Sequence, residues 1–280
     1  MITFPCCKIN LGLNVVSKRE DGYHNLETIF YPVLLCDALE IKTMDEDFPS
    51  PTNCDIKVTG NSLSNCDEKD NLVVKAYNLL AKDYNLPRIH IHLYKRIPSQ
   101  AGLGGGSADA AYMITLLNKR FHLGLNDEDM IHYATKIGAD CAFFIKAETA
   151  FATGIGNELS PLSRGISSLE GYYLTLVKPD IAVSTAEAYA NIKPQQPKKC
   201  CRDIISQSID TWKDELKNDF EASVFTHHPE LKAIKEKLYK EGALYAQMSG
   251  SGSTIFAIFG RKPKEIEEKF EGSFVYTCGL

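Results

Sequence analysis

Between Lys95 and Ala111 the chain reads KRIPSQAGLGGGSADAA, with glycines at positions 102, 104, 105 and 106. Four glycines in five positions free the backbone of side-chain restriction on φ at one point, at a cost in chain entropy. The alternating pattern RIHIHLYKRIP at residues 88–98 leads in as a strand. After the run, Ala110, Ala111, Ile114, Leu117 and Phe121 fall near helical spacing. Strand, glycine run and helix in succession make a turn whose N–H groups, with the positive end of the helix dipole, aim at one place. Such a turn is either a sharp connection only or a cradle for an anion, and phosphate is the commonest such ligand.

The familiar phosphate loops do not match. No Gly-Lys-Ser or Gly-Lys-Thr closes the run, so it is not a Walker A loop. Ser107 and Asp109 stand where the last glycine of a dinucleotide fingerprint would fall in its two registers. Neither H-R-D nor D-F-G occurs, which excludes the eukaryotic protein-kinase set, and H-E-x-x-H and G-x-S-x-G are missing too.

A chain of 280 residues exceeds the usual size of one domain. The polar, turn-rich stretch at 158–168 marks a boundary, giving an N-terminal domain over 1–160 and a C-terminal domain over 161–280. Strand patterns at 7–15, 26–35 and 39–43 precede helix patterns at 71–84, 107–121 and 126–138. Beyond the boundary come a strand at 172–177, helices at 203–217 and 229–240, and strands at 243–248 and 254–259. Ser-Thr-Ala-Glu at 184–187 reads as a capping box. Strands and helices mix without strict βαβ alternation, which predicts the α+β class. The net charge of −5 argues against a nucleic-acid partner, which needs a basic face. No apolar run approaches the roughly 18 residues of a membrane span, and no signal peptide is readable, so a cytoplasmic protein is expected. The nine cysteines, with vicinal pairs at Cys6–Cys7 and Cys200–Cys201, fit reduced thiols. His90 and His92 share one strand face, but with no third ligand in view they read as a solvated face.

The pattern P-x-x-x-G-L-G-G-G-S from Pro98 resembles the phosphate loop of the GHMP kinases, which include galactokinase, homoserine kinase and mevalonate kinase. Four further stretches resemble motifs of that family in the same order: KINLGLNV from Lys8, DGYHNLETIF from Asp21, GADCAFF from Gly138 and MSGSGSTIF from Met248. Most of the superfamily reads G-L-G-S-S in the loop. The G-L-G-G-G-S form narrows the resemblance to the branch whose acceptor is 4-diphosphocytidyl-2-C-methyl-D-erythritol.

The resemblance implies a two-domain GHMP-kinase fold, with a ribosomal-protein-S5-like N-terminal domain and a ferredoxin-like C-terminal one. It implies transfer of the ATP γ-phosphoryl group to the 2-hydroxyl of that cytidine-diphosphate-linked polyol, a step of non-mevalonate isoprenoid synthesis. ATP would come with Mg²⁺, no cofactor would be tightly bound, and the chain would act as a monomer or homodimer. The phosphates are expected on Pro98, Ser99, Gln100, Ala101, Gly102, Leu103, Gly104, Gly105, Gly106, Ser107 and Ala108. Lys8 and Asp140 match the family's catalytic pair, with Asp140 the base. On the substrate side, Asn10 would touch the polyol, His24 would read cytosine, and Tyr23 and Tyr189 would flank the base. Thr185, Gly250 and Gly252 complete the substrate set. The resemblance leaves the metal ligands open. Asp109 is a candidate, though a first-turn acid on a helix also reads as solvated. Taken singly, Asp140 also fits a helix terminus, Lys8 an exposed strand and Tyr189 a core aromatic. Two alternatives stay in play. One is another GHMP kinase acting on mevalonate or homoserine, which would need no base-reading histidine. The other is a non-catalytic nucleotide-binding relative, which would need neither Lys8 nor Asp140.

Overall fold

A computed structural model describes residues 1–61, 68–162 and 169–280 of the protein. In chain order the first elements are β1 (Ile2–Thr3), β2 (Cys6–Lys18), β3 (His24–Cys36), β4 (Ala38–Thr43), β5 (Cys54–Gly60), α1 (Leu72–Leu80) and β6 (Ile89–Lys95). Then follow α2 (Gly105–Phe121), α3 (Asp127–Thr135), α4 (Cys141–Lys146), β7 (Ala150–Thr153), β8 (Glu158–Pro161) and β9 (Tyr173–Lys178). The remainder is α5 (Thr185–Tyr189), α6 (Cys201–Ile205), α7 (Trp212–Glu215), α8 (Phe220–His227), α9 (Pro229–Lys240), β10 (Tyr245–Met248), β11 (Ile255–Phe259), α10 (Ile266–Lys269) and β12 (Phe274–Gly279). No helix among the described residues is long and apolar enough to cross a membrane.

Packing divides the chain into two compact units that do not meet at one point in the sequence. The first holds Met1–Cys7, Val33–Ser99 and Gly104–Ala147; the second holds Lys8–Pro32, Gln100–Leu103 and Glu148–Leu280. A linear change of domain at 160/161 does not describe this division, because most of β2 and β3 joins the C-terminal elements. Residues 163–168 of the expected boundary stretch lie outside the described residues.

The first unit is built on the sheet β1-β4-β6-β5, in which β6 runs antiparallel to β4 and parallel to β5. Along β6 the alternation is strict: Ile89, Ile91, Leu93 and Lys95 are buried, while His92 and Tyr94 are exposed. The buried face joins α1 and α2 in a core that includes Leu39, Ile41, Val73, Tyr77 and Ile114. Ala108, Ala110 and Ala111 are buried side by side at the start of α2, where small side chains let the helix pack closely.

The second unit carries two sheets, β2-β3-β7-β8 and β10-β11-β9-β12. Val15, Val177, Phe220, Leu231 and Ile255 belong to its core. The single helix expected over 203–217 is replaced by α6, a 3-10 turn at Ile209–Thr211, and α7. The Ser206 hydroxyl donates to the Asp203 carbonyl at 2.7 Å, the local competition that makes serine a poor helix-interior residue. The helix pattern at 71–84 likewise ends early, at Leu80.

Candidate active site

In the second unit, the side of β2 that bears Lys8 and Asn10 is as buried as the apolar side. Lys8 is only 4% exposed and Asn10 2%, so the exposed-strand reading of Lys8 does not hold. The Lys8 ammonium donates to Asn10 Oδ1 at 2.8 Å and to the Gly102 carbonyl at 3.1 Å. Asn10 Nδ2 donates to Thr28 Oγ1 at 2.9 Å, and that hydroxyl donates to the Gly12 carbonyl at 2.5 Å. Burying an ammonium is expensive unless polar groups replace its water, and this relay from β2 to β3 does so. Thr28, which holds Asn10, carries no sequence signal beyond its place in the DGYH stretch.

The first half of the glycine run closes the same cluster. The Lys8 N–H donates to the Leu103 carbonyl at 3.0 Å, and the Thr254 N–H to Ala101 at 3.2 Å. Ser249 Oγ donates to the Gly102 carbonyl at 2.9 Å. Gly102 has φ of +71°, and a Cβ there would run into the Ser249 carbonyl oxygen. The glycine is therefore required by backbone meeting backbone. Gly250, φ +54°, faces the Gly102 carbonyl from the other side, and Asn218 Nδ2 donates to the Met248 and Gly250 carbonyls, both at 2.8 Å. Residues 101–103, the KINL strand and the MSGSGS turn thus meet. Gly252 lies in the same turn, its N–H donating to Ser249 O at 2.9 Å.

Elsewhere in this unit, His24 and Tyr189 stack, with centroids 4.8 Å apart and planes 20° apart. Tyr189 is also edge-on to Phe220 at 4.7 Å, which fixes its ring from behind. Tyr23 is not in the stack and is 63% exposed. Thr185 is exposed in the first turn of α5. The capping box there is half formed: Ser184 Oγ accepts the Glu187 N–H, but the Glu187 carboxylate turns to His228 Nε2 at 2.8 Å.

The second half of the glycine run belongs to the first unit. Gly104, in the left-handed conformation, is the N-cap of α2, and the first bond of the helix is Ala108 N–H to Gly104 O at 2.9 Å. The N–H groups of Gly105, Gly106 and Ser107 precede that bond, so no intrahelical carbonyl takes them. On the flank, Pro98 and Ser99 are half-buried and Gln100 is exposed, whereas Ala101, Leu103 and Ala108 are buried anchors. Asp140 occupies the N-cap of α4, but its side chain makes no capping hydrogen bond, so helix capping does not explain it. Behind it, burial pushes the Cys141 thiol up to about 11, with Ser107 pulling the other way.

Under the loop lies a charged cluster that pattern reading missed. Lys95, buried, is paired with Asp37 and, at 2.5 Å, with Asp109 Oδ2. Asp37 Oδ1 accepts the N–H groups of Arg96 at 2.6 Å and Ile97 at 2.8 Å. Asp109 is therefore not a solvated first-turn acid: one of its oxygens is held by the Lys95 ammonium. Its Oδ1 is buried without a hydrogen-bond partner. The cluster supports the glycine run directly: a Cβ on Gly105 would stand 2.9 Å from Ile97 Cγ2 and 3.5 Å from Lys95 Nζ. The sequence does hold the signal, because Lys95 continues the buried register of Ile89, Ile91 and Leu93. His90 and His92 lie on the other face and go to separate neighbours, Asp55 at 3.8 Å and Thr59 at 2.9 Å, so they form no shared site.

Burial, reinforced by the charge of Asp37 and opposed by Lys95, pushes the Asp109 carboxyl up from 3.8 to about 7. For Lys95, burial pulls down but the two carboxylates outweigh it, and the net shift is upward. A carboxyl raised on folding contributes stability that is complete below its unfolded value and lost as pH rises through the folded one. Stability from Asp109 should thus fall across the window from 3.8 to about 7. Urea denaturation at both ends of that window tests this: the stability of Asp109→Asn relative to the unsubstituted chain should improve as pH rises. A difference independent of pH would contradict it.

Comparisons with known proteins give the family. Residues 71–148 match the model of the GHMP kinases N terminal domain, and residues 200–275 that of the GHMP kinases C terminal domain. The chain is 51% identical over 280 residues to a 4-diphosphocytidyl-2-C-methyl-D-erythritol kinase of Bacteroides fragilis, covering 100% of both chains. A crystal structure of 4-(cytidine 5'-diphospho)-2C-methyl-D-erythritol kinase superposes with TM-score 0.81 at 27% identity, again over 100% of each chain. The mevalonate kinase of Methanococcus jannaschii shares the fold, with TM-score 0.71 at 14% identity over 100% of this chain and 98% of that one. The fold is accordingly the two-domain α+β fold of these kinases, and the chain belongs to the GHMP kinases, in the family of 4-diphosphocytidyl-2-C-methyl-D-erythritol kinases.

Proposed function

We propose that the chain transfers the γ-phosphoryl group of ATP to the 2-hydroxyl of 4-diphosphocytidyl-2-C-methyl-D-erythritol. Within a kinase family, the observation that carries this acceptor is the His24–Tyr189 stack, an aromatic platform on the unit that also carries Lys8 and Asn10. A mevalonate- or homoserine-type acceptor would leave that platform without a role. A pyrimidine needs a ring to stack on and hydrogen bonds at its polar edge, and an imidazole beside a phenol ring supplies both. The two rings now touch. A base held between them requires centroids about 7 Å apart, so either they part or the base stacks on the outer face of one.

Phosphoryl transfer asks for a held polyphosphate, neutralised charge and a hydroxyl that loses its proton as the new bond forms. The amides at the start of α2 take the phosphate oxygens, helped by the helix dipole. Mg²⁺ accompanies the nucleotide and, when bound, offsets the phosphate charge. Asp140, half-buried and spared from capping, takes the proton of the 2-hydroxyl. Lys8, fixed by Asn10 and Gly102, supplies positive charge at the acceptor end, and Asn10 positions Lys8 as well as facing the polyol. A cytoplasmic setting fits the eight cysteines of the described residues, none of them in a disulfide.

His24→Ala should raise KM for the cytidyl substrate by about 10- to 100-fold, the worth of one base–aromatic contact, with little change in KM for ATP. Equal losses toward both substrates would instead mark a general structural defect. The reaction itself is tested by phosphorus NMR on the chain incubated with Mg-ATP and the cytidyl substrate. A new phosphomonoester resonance coupled to no diphosphate, growing as ATP becomes ADP, is expected. ADP formation without that resonance, or neither, counts against the proposal.

A further inference from the structure

Among the described residues, one group of three ligand-type side chains converges: Glu27 on β3, Cys200, and Cys201 at the start of α6, with ligand atoms all within 4.8 Å of one another. We propose that these residues form a site for a thiophilic divalent cation, of the Zn²⁺ or Cd²⁺ kind, independent of phosphoryl transfer. Two sulfurs and a carboxylate oxygen are the donor set of a borderline-soft ion, and three protein ligands leave a fourth position for water.

Two observations carry the assignment beyond proximity. Glu27 Oε2 is buried and has no hydrogen-bond partner, an acceptor left over inside the cluster. A buried acceptor without a donor is unfavourable, and a cation would satisfy it. Arg202, next to Cys201 in sequence, lies over the Phe151 ring instead, 4.3 Å from its centroid. Coordination by both sulfurs displaces the thiol protons to solvent, so M²⁺ binding releases protons. Finally, the group spans elements that are otherwise held by packing. Cys201 Cβ would stand 3.1 Å from a Cβ on Gly12, and Gly12 receives the Thr28 hydroxyl one residue after Glu27. An ion here would clip α6 to the strand pair that holds Asn10 and Lys8.

The test uses the reduced, full-length chain with Cd²⁺ alone as the probe, following the thiolate-to-metal absorption in the ultraviolet, with Zn²⁺ competing and stoichiometry from equilibrium dialysis. One ion per chain, with proton release measured in weak buffer, is expected. Cys200→Ser should lose the band and weaken binding by about 100-fold, and Glu27→Gln, isosteric and safe for folding, should weaken it by about 10-fold or more. Binding that is unchanged in Glu27→Gln and Cys200→Ser would assign the ion to another thiol, such as the Cys6–Cys7 pair, and overturn the proposal. So would the lack of stoichiometric binding by the unsubstituted chain.

Discussion

Asp140→Asn should lower kcat for phosphoryl transfer by about 10²- to 10⁴-fold, the usual contribution of a positioned general base. The substitution keeps the shape of the side chain and removes only its ability to take a proton. The Asp140 side chain makes no capping hydrogen bond to α4, so the substitution removes no helix cap. The phosphate loop is untouched, so ATP affinity should stay where it is. Single-turnover kinetics with saturating ATP, beside calorimetric titration of the nucleotide, separate the two quantities. A variant that turns over normally would remove Asp140 from the chemistry. A variant that has lost ATP binding as well would make it a structural residue of the nucleotide side.

Gly102→Ala should be severely damaging for a single methyl group. At φ +71° an L-residue is strained, and the added Cβ would overlap the Ser249 carbonyl oxygen, with the Gly252 oxygen at 3.1 Å behind it. Both obstacles are backbone, so neither can rotate aside. The loss should reach about 3–5 kcal/mol, the range of severe single substitutions. Activity should fall further than stability alone explains, because the Gly102 carbonyl holds the Lys8 ammonium. Gly106→Ala is the control for stability: its Cβ would meet only Leu72 Cδ1, at an ordinary 3.7 Å, and φ is not positive there. Urea denaturation of the pair should show a large shift in midpoint for Gly102→Ala and little for Gly106→Ala. Equal shifts would mean that the loop tolerates or rejects any methyl group, and the backbone-contact account would fail.

The part of this site that was readable in the chain is the part written in contiguous residues. The glycine run, the strand before it and the helix after it follow from local propensities, and the five motifs in order give the family. What alternation could not give is how many faces are covered. Lys8 and Asn10 alternate with Ile9 and Leu11 as a polar face should, yet both faces of β2 are buried, which depends on β3 and on residues 101–103. Asp109 misleads for a related reason. A first-turn acid is solvated unless a cation reaches it, and the cation here comes from β6, with a second carboxylate, Asp37, 58 residues away from Lys95 in the chain. The register of Lys95 on the buried side of β6 was visible; its partners were not. The stack of His24 on Tyr189 joins a hairpin to a helix more than a hundred residues later, and only the family resemblance pointed to it.

The most direct measurement is ADP release with Mg-ATP across a panel of acceptors: 4-diphosphocytidyl-2-C-methyl-D-erythritol, the same polyol phosphate without cytidine, mevalonate and homoserine. Turnover confined to the cytidyl substrate, with kcat/KM collapsing when the nucleotide is removed, is the predicted result. Turnover on mevalonate or homoserine would contradict the acceptor assignment, and silence on all four with ATP still bound would contradict catalysis itself.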